Sequence, residues 1–306
     1  MTLKRTLLAR IPPGRLAQLR AARSRLRRFR YRLRQRAAPV VVTREDIVAS
    51  LREVGLRDGD GVFLHSSLSS FGEIRGGSAT VLQALDDVLG PEGLIAMPAF
   101  PLVGGAQEYL STHPVFDVRN TASTMGSLTE RFRTSPGVAR SLHPTHSVAA
   151  RGPGAEELVA GHEESETPFG EGTPFARMIE RGMVQLWFGV GLRIFTLYHA
   201  FECLRPAGFP IDVFQEERVD ARVIDAEGRE KTVSTLVHDP VVGGRKDDTR
   251  EAIRTHLLET GVLERATLGR GEVMAARMPE LMAELETLLA RGITIYRIPI
   301  ESTAER

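Results

Sequence analysis

Residues 61–100, GVFLHSSLSSFGEIRGGSATVLQALDDVLGPEGLIAMPAF, combine two short apolar runs with a helical segment between them. The runs at 62–68 and 93–100 predict buried strands, because each is short, apolar and bounded by polar or turn residues. The segment 76–90 has helical apolar spacing, begins with glycines and is closed by Gly90-Pro91. A helix that joins two buried strands is typical of parallel strands, so this stretch indicates an α/β fold.

The same alternation continues on both sides of this stretch. The Thr43-Arg-Glu-Asp46 start predicts a capped helix over 43–56. Further helices are predicted at 123–134, 152–162, 173–182, 196–204, 247–259 and 279–290, and further strands at 146–152, 183–190 and 293–298. From Ile211 to His238 the apolar period changes to two, which predicts antiparallel hairpin strands around a turn at 225–230. We therefore expect one α/β domain over 39–306, with a mostly parallel central sheet flanked by helices and a β-rich antiparallel insertion.

Bulk composition excludes several classes of protein. The 306 residues suffice for a full hydrophobic core, and no apolar run approaches the roughly 18 residues that span a bilayer. Cys203 is the only cysteine, which excludes an intramolecular disulfide and a cysteine-based metal cluster. The N-terminal basic residues are not followed by the apolar segment of a signal peptide. We therefore expect a cytoplasmic protein.

The N-terminal arm, residues 1–38, differs in charge from the rest of the chain. Residues 1–36 contain 13 of the 40 Lys and Arg residues, and the remaining 27 stand against 39 acidic residues, a net charge of −12. Apolar residues recur among the arginines at helical spacing, namely Leu16, Leu19, Leu26, Phe29 and Leu33. Such a basic amphipathic helix suits an anionic membrane surface, a nucleic acid or an acidic protein face. We favour a peripheral membrane contact over nucleic acid, and a solvated extension that folds on the acidic body is the alternative.

The residues best suited to acid–base chemistry are a few histidines and one carboxylate. His65 lies at the end of the first strand, and His143 and His146 lie in the loop SLHPTHSVAARG at 141–152. His199 and Glu202 are three residues apart in a predicted helix, so they share one helix face. A carboxylate beside an imidazole can fix its tautomer and stabilise its charged form, as a general base requires. Taken alone, the same spacing is more often an exposed pair without function.

A metal site built from His143, His146, His199 and Glu202 is an alternative. The first two histidines precede a strand rather than lying on a helix, and the chain has no recognised zinc-ligand spacing. We therefore expect no bound metal.

Two segments contain serines and glycines of the kind that bind anionic ligands. His65-Ser66-Ser67-Leu68 follows the first strand, and Gly76-Gly77-Ser78 begins the next helix. Backbone N–H groups at a helix N-terminus donate to phosphate, and glycine allows close approach. The chain contains neither a Walker motif nor GxGxxG, which argues against a P-loop NTPase and a Rossmann dehydrogenase. Glycines of this kind are also common in ordinary turns.

Five segments together resemble the aminoglycoside 3-N-acetyltransferase family, which is distinct from the GNAT acetyltransferases. They are, in chain order, HSSLSSFGEIRGGSATVLQAL, STMGSLTERFR, RSLHPTHSVAARG, FGEGTPFARMIERG and TLYHAFE. The resemblance covers about residues 43–300. It implies acetyl transfer from acetyl-CoA to a small-molecule amine, usually on an amino sugar or aminocyclitol.

The resemblance also assigns site residues. It places the His-Pro-x-x-Ser loop, here His143 and Ser147, and the His-x-x-Glu helix, here His199 and Glu202, in the active site. The residues that it places near acetyl-CoA are His65, Ser66, Ser67, Leu68, Gly77, Ser123, Met125, Gly126 and Ser147. His146 receives no definite role, because this position varies within the family.

The chemistry that follows is direct transfer in a ternary complex. An ammonium group must lose a proton before its nitrogen attacks a thioester, and an imidazole oriented by Glu202 can take that proton. We favour His199 as this base and expect His143 to contact the thioester or the acceptor. A ping-pong route through Cys203 is the alternative. Neighbouring helical residues lie about 100° apart, so Cys203 is expected to face the core instead.

Two other functions stay open. A relative could acylate an amino sugar in glycan or natural-product biosynthesis, which the basic arm favours. A non-catalytic relative could bind CoA or a sugar, but the presence of His143, His199 and Glu202 argues against this.

Overall fold

The computed structural model describes residues 39–102, 104–205, 208–243 and 249–296. The strands are β1 (Val41–Val42), β2 (Gly61–Ser66), β3 (Glu73–Ile74), β4 (Leu94–Pro98), β5 (Val115–Asp117), β6 (Ala139–Arg140), β7 (Val148–Arg151), β8 (Val184–Phe188), β9 (Val219–Ile224), β10 (Glu230–Thr235), β11 (Glu264–Leu268) and β12 (Gly271–Arg277). The α-helices are α1 (Arg44–Glu53), α2 (Ser78–Leu89), α3 (Ala106–Leu110), α4 (Ser127–Arg133), α5 (Ala155–Val159), α6 (Pro174–Glu180), α7 (Leu197–Leu204), α8 (Pro240–Gly243), α9 (Arg250–Glu259) and α10 (Met278–Ala290). Short 3₁₀ turns lie at Leu68–Ser70 and His162–Glu164.

A seven-stranded sheet forms the centre of the fold, in the order β11-β12-β8-β2-β4-β7-β6. The central strands β8, β2 and β4 are parallel, with Val62 opposite both Ile95 and Val184. The strands outside them pair antiparallel. The predicted α/β class with a helix-flanked central sheet is thus confirmed, whereas the parallel character is confined to the three central strands.

Two differences from the predicted elements lie in the C-terminal part. β11 and β12 form an antiparallel hairpin in a region where no strand is predicted. The apolar run in β12 is too short for its period to distinguish a buried strand from a helix. A strand is predicted at 293–298, but the described residues 293–296 contain only an isolated bridge at Tyr296. β12 instead extends the sheet beyond β8.

Helices cover both faces of the large sheet because side chains of its central strands are apolar on both sides. In β2, Val62 and Leu64 pack in one core with residues of α1, α2 and α4. Phe63 packs in the other core with residues of α6, α7, α9 and α10. Since side chains alternate along a strand, His65 lies on the Phe63 side, toward α7.

The antiparallel direction of β7 decides where the loop before it lies. Val148, the first residue of β7, pairs with Pro98, the last residue of β4. The loop at 141–147 therefore enters the sheet at the edge where the parallel strands end. A β7 parallel to β4 would have placed His143 and His146 at the opposite edge.

A small second sheet, in the order β10-β9-β5, contains the predicted β-rich hairpin. β9 and β10 pair antiparallel, with Ile224 opposite Glu230. After β10 the chain pairs with residues 213–215, where Phe214 and His238 form an antiparallel bridge. This pairing holds His238 beside α7, with its ring 4.2 Å from that of His199.

The described residues contain no helix that combines the length and the apolar character needed to cross a membrane. The basic arm lies outside the described residues, so its boundary at residue 38 and its membrane contact stay predictions.

Gly189, just after β8, requires glycine for two reasons. Its φ of 75° lies in the left-handed region, and a Cβ there would lie 2.7 Å from the Ser67 carbonyl oxygen and 2.8 Å from the Phe71 ring. We expect Gly189→Ala to lower the free energy of unfolding by about 1–3 kcal/mol more than Gly182→Ala, because only the first substitution overpacks. Gly182 is the matched control, since its φ is 63° and no atom lies within 4 Å of its Cβ position. Urea unfolding measures the difference, and equal losses in the two variants would contradict it.

Candidate functional site

Several polar side chains meet at the edge of the large sheet where β2, β4 and β8 end. The carboxyl ends of parallel strands are the usual location of ligand sites in open α/β sheets. β2 ends with His65 and Ser66, and the chain after β8 leads into α7 with His199. The antiparallel β7 brings the 141–147 loop to the same edge. The structure thus assembles residues from three separate segments.

His199 and Glu202 form an ion pair at the centre of this site. His199 Nδ1 lies 2.8 Å from Glu202 Oε2, as their spacing on one helix face predicts. The Glu202 side chain is fully buried, whereas 15% of the His199 side chain is exposed. A carboxylate only accepts, so the imidazole proton lies on Nδ1, and Nε2 is the basic nitrogen of the neutral ring.

Glu202 has two further partners that the sequence patterns did not single out. Tyr296 Oη donates to Oε1 at 2.7 Å, and His238 Nε2 lies 3.3 Å from Oε2. Both residues lie far from Glu202 in the chain. The sequence before His238 has the pattern of a strand. The polar His-Asp-Pro turn that follows this strand is the one feature of the sequence that could have marked His238 as a site residue.

The environment keeps Glu202 ionised. Burial raises the pKa of Glu202, but the nearby His199 and His238 outweigh this effect and lower the pKa to about 2. Burial and the Glu202 charge raise the pKa of Tyr296, which therefore stays a hydrogen-bond donor. A carboxylate held in this way can fix the His199 tautomer and stabilise an imidazolium.

His143 occupies a fully buried position in the 141–147 loop. The backbone N–H groups of Thr145 and His146 lie 3.3 and 3.1 Å from its Nδ1, and its Nε2 lies 3.3 Å from Thr235 Oγ1. Its ring stacks on that of His162 at 4.4 Å. Burial lowers the pKa of His143 well below its ordinary value, so the ring is neutral. These contacts tie the loop to β10, and a role for His143 at the thioester or the acceptor stays a prediction.

His146 is the residue of this loop that reaches the cleft. Its ring lies between those of Phe100 and Phe169, at centroid distances of 4.8 and 4.7 Å. The sequence resemblance gives His146 no definite role, but the structure places it on the same cleft wall as His199.

His65 connects the sheet to the start of α7. Its Nε2 lies 3.0 Å from Thr196 Oγ1, and its Nδ1 lies 3.2 Å from Gln185 Nε2 on β8. Burial lowers the pKa of His65 to about 3, so the ring is neutral. The contacts position the helix that carries His199, and a direct contact between His65 and acetyl-CoA stays a prediction.

The other residues of the first predicted acetyl-CoA loop lie at the same edge. Ser66 ends β2, Ser67 N–H donates to the Phe188 carbonyl at 2.9 Å, and Leu68 begins a 3₁₀ turn. Gly77 precedes α2 with a φ of 62°, and no atom lies within 4 Å of its Cβ position. The start of α2 is therefore open to a ligand.

Ser123, Met125 and Gly126 form the turn before α4. The Ser123 N–H donates to the Glu130 carboxylate at 2.8 Å, and the Met125 N–H donates to Ser123 Oγ at 3.2 Å. Gly126 has a φ of 122°, with no atom within 4 Å of its Cβ position. These bonds define the shape of the turn.

Ser147 is fully buried between β4 and β7. Its hydroxyl donates to the Ala99 carbonyl at 2.9 Å and accepts from Arg140 Nε at 3.1 Å. Ser147 thus links the start of β7 to the end of β4 through a hydrogen bond. Its contact with acetyl-CoA stays a prediction.

A cleft of about 630 Å³ opens beside His199. Its wall includes His146, His199 and His238, together with the carboxylates of Glu108 and Asp239. His199, whose Nε2 is the basic nitrogen, therefore lines an acidic cleft.

A second concavity of about 870 Å³ shares Gln107 and Asp239 with this cleft. It adds three more acidic side chains, those of Asp212, Glu216 and Glu217. Arg218 also lines it but pairs with Glu166 at 2.8 Å. The two concavities thus form a continuous acidic surface.

Cys203 packs against the apolar core, as expected for the residue that follows Glu202 on a helix. Thr167 Oγ1 lies 3.6 Å from its sulfur. Burial raises the pKa of the Cys203 thiol to about 12, so the reactive thiolate is scarce at neutral pH.

The chain is similar to known proteins over most of its length. Residues 63–290 match a family model described as aminoglycoside 3-N-acetyltransferase. The aminoglycoside N(3)-acetyltransferase IX of Micromonospora chalcea is 35% identical over 176 residues, which cover 53% of this chain and 62% of that protein. The chain spans about six tenths of the length of the first curated relatives that it matches, 62% of two of them and 60% of a third.

Two solved structures share the fold. One, described as AAC-IIIb binary with CoASH, has a TM-score of 0.71 and 27% identity and covers 83% of this chain and 98% of that chain. The other, described as sisomicin bound AAC-VIa, has a TM-score of 0.67 and 26% identity and covers 81% of this chain and 98% of that chain.

Proposed function

We propose that this chain, which belongs to the aminoglycoside 3-N-acetyltransferase family, transfers the acetyl group of acetyl-CoA to an amine of an aminoglycoside. The observation that carries the proposal is the His199–Glu202 pair, whose carboxylate is buried and whose imidazole lines an acidic cleft. Two similar structures support the choice of substrates, since one holds CoASH and the other holds sisomicin.

His199 acts as the general base in this proposal. Its Nδ1–H donates to Glu202, and its Nε2 takes a proton from the acceptor ammonium. The freed amine attacks the thioester carbonyl carbon, the new C–N bond forms and the C–S bond breaks. The attacking nitrogen loses its second proton to solvent, and the CoA thiolate leaves and takes the proton that His199 holds as an imidazolium. The base is thereby regenerated, and no covalent enzyme intermediate is formed.

The charge of the cleft supports a polycationic acceptor. Glu108 and Asp239 lie on the wall beside His199, and the neighbouring concavity adds Asp212, Glu216 and Glu217. Several carboxylates on one concave surface raise the local concentration of a cation and orient its ammonium groups. A neutral or anionic acceptor would gain nothing from this arrangement.

Acetyl-CoA binds, in this proposal, between the His65–Leu68 loop and the start of α2. The N-terminus of α2 offers backbone donors to phosphate, and Gly77 leaves space above it. The turn at 123–126 borders the cleft, because Thr124 Oγ1 donates at 2.6 Å to the carbonyl of Leu102, a residue of the cleft wall. The thioester would enter the cleft past this turn.

Release of free CoA thiol, measured against a panel of amines, tests the proposal. We expect turnover with polycationic aminoglycosides and little with monoamino sugars, because only the former complement the acidic surface. Turnover of amino sugars alone would favour the biosynthetic alternative. Binding of acetyl-CoA without thiol release from any amine would favour the non-catalytic one.

The Cys203→Ala variant separates direct transfer from a ping-pong route. We expect it to retain nearly full turnover, because the thiol is buried, protonated and packed on the core. The measurement is kcat in the thiol-release assay, with mass spectrometry of the wild type incubated with acetyl-CoA alone. A folded but inactive variant, or an acetylated Cys203, would contradict direct transfer.

A further inference from the structure

Three side chains direct one donor atom each at a common region beside the cleft. His199 Nδ1 and His238 Nε2 lie 2.8 and 3.3 Å from Glu202 Oε2. One ligand atom from each of the three residues lies within 4.8 Å of the other two. Zinc–ligand bonds of about 2.0–2.1 Å at tetrahedral angles place neighbouring donor atoms about 3.3 Å apart. The separation of 3.3 Å between His238 and Glu202 matches this value. The separation of 2.8 Å between His199 and Glu202 is that of a hydrogen bond, and the two side chains would move about 0.5 Å apart when a metal replaces the proton between them.

His238 supplies an independent observation. Its Nε2 is buried and makes no hydrogen bond to any part of the chain that the structure describes. Its approach to Glu202 Oε2 has the distance of an ion pair but not the geometry of a hydrogen bond. Buried polar atoms in proteins are normally satisfied. An ion held between the three donor atoms would satisfy this one.

The donor set and its surroundings suit a divalent metal. Two imidazoles and one carboxylate are the protein ligands of many zinc sites that keep one position open. Carboxylates that bind a metal usually accept a hydrogen bond on their other oxygen, and here Tyr296 donates to Glu202 Oε1 at 2.7 Å. The backbone around His238 is held by its bridge to Phe214 and by a 3.0 Å hydrogen bond from the Asp239 N–H to the Val213 carbonyl.

We propose that His199 Nδ1, Glu202 Oε2 and His238 Nε2 bind a divalent transition metal such as Zn²⁺, with the fourth position open to the cleft. A metal on Nδ1 of a neutral imidazole displaces the ring proton, which moves to Nε2. Nε2 is the atom that takes the ammonium proton in the proposed mechanism. Bound metal therefore inhibits acetyl transfer, and this consequence, unlike the binding itself, rests on the proposed function.

Metal binding by the full chain tests the site directly. The chain is freed of metal with a chelator, and Zn²⁺ is titrated at pH 7.5 in competition with a chromophoric chelator. We expect one high-affinity ion per chain, a Co²⁺ visible spectrum typical of four-coordinate nitrogen and oxygen ligation, and at least a tenfold loss of affinity in His238→Gln. Glu202→Gln provides a second ligand variant in case His238→Gln fails to fold.

His256→Gln is the matched control, because His256 Nε2 forms a comparable pair with Glu284 Oε2 at 2.5 Å between α9 and α10. This variant should bind Zn²⁺ like the wild type. Wild-type affinity no higher than that of His238→Gln, or an equal loss in His256→Gln, would overturn the proposal and indicate adventitious binding only.

The activity assay distinguishes the two proposals. We expect stoichiometric Zn²⁺ to suppress thiol release and excess EDTA to restore it. A chain that transfers acetyl groups but shows no stoichiometric zinc binding refutes the metal site alone. A chain that binds one zinc but transfers to no amine in the metal-free form refutes the proposed function alone.

Discussion

Glu202→Gln is expected to lower the turnover of an aminoglycoside by roughly 10²–10⁴, the usual range of general-base assistance. Glutamine keeps the size of the side chain and a carbonyl oxygen for the Tyr296 hydroxyl, but it removes the charge between His199 and His238. Without that charge, neither the Nδ1-protonated tautomer nor the imidazolium of His199 is stabilised. The loss lies in the transition state, so the affinity for acetyl-CoA should change little.

Two further variants make this result specific. Glu286→Gln removes an exposed carboxylate that pairs with Arg205 at 2.5 Å, and it should leave kcat unchanged. His199→Gln should lose about as much as Glu202→Gln, and the double variant should lose no more than the larger single loss, because the two residues act as a unit. Near-normal kcat in a folded Glu202→Gln variant would refute the assignment of the base.

The free energy of unfolding is expected to fall by up to about 5 kcal/mol between pH 7.5 and pH 5.5. Burial lowers the pKa of His65 and of His162 to about 3 and lowers the pKa of His143 and of His146 well below the ordinary value. In the folded state the four rings stay neutral across this range, whereas in the unfolded chain they bind protons below about pH 6.5. Their contribution is thus fully present above pH 6.5 and is lost as the pH falls toward 3, at about 1.4 kcal/mol per histidine for each pH unit.

Urea unfolding of the wild type at pH 7.5, 6.5 and 5.5 measures this dependence. His162 lies outside the proposed site, with Nδ1 2.8 Å from Ser141 Oγ and Nε2 2.9 Å from the Pro168 carbonyl oxygen. His162→Gln should therefore reduce the pH slope by about a quarter. If this variant does not fold, the wild-type curve alone decides, and a free energy of unfolding that is constant over this range would contradict the prediction.

The features that the sequence determined by itself are those set by residues close together in the chain. The capping box of α1 is one example, since Thr43 and Asp46 exchange hydrogen bonds of 3.2 and 2.9 Å as their spacing predicts. The pairing of His199 with Glu202 is another, because residues three apart on a helix are neighbours whatever surrounds the helix. The parallel centre of the sheet follows in the same way from the strand, helix, strand order of residues 61–100.

The burial of His143 was not readable from its loop. The His-Pro-Thr-His-Ser pattern marks a polar turn, and the same letters could have exposed His143 and buried His146. In the folded chain Thr235, which is 92 residues away, and His162 enclose His143, while His146 reaches the cleft. Packing against distant residues therefore decides that His143 is enclosed and that His146 lines the cleft.

Only the tertiary structure decided the direction of β7, the insertion of β12 into the sheet and the approach of His238 and Tyr296 to Glu202. Each of these contacts joins residues more than 30 positions apart and is set by how the whole sheet and its helices pack. Apolar periodicity within one segment contains no information about that packing. Apolar periodicity and helix caps depend on hydrogen bonds and burial within one segment. Which strand pairs with which, and which side chains contact a buried carboxylate, depends on the packing of the two cores on the faces of the sheet.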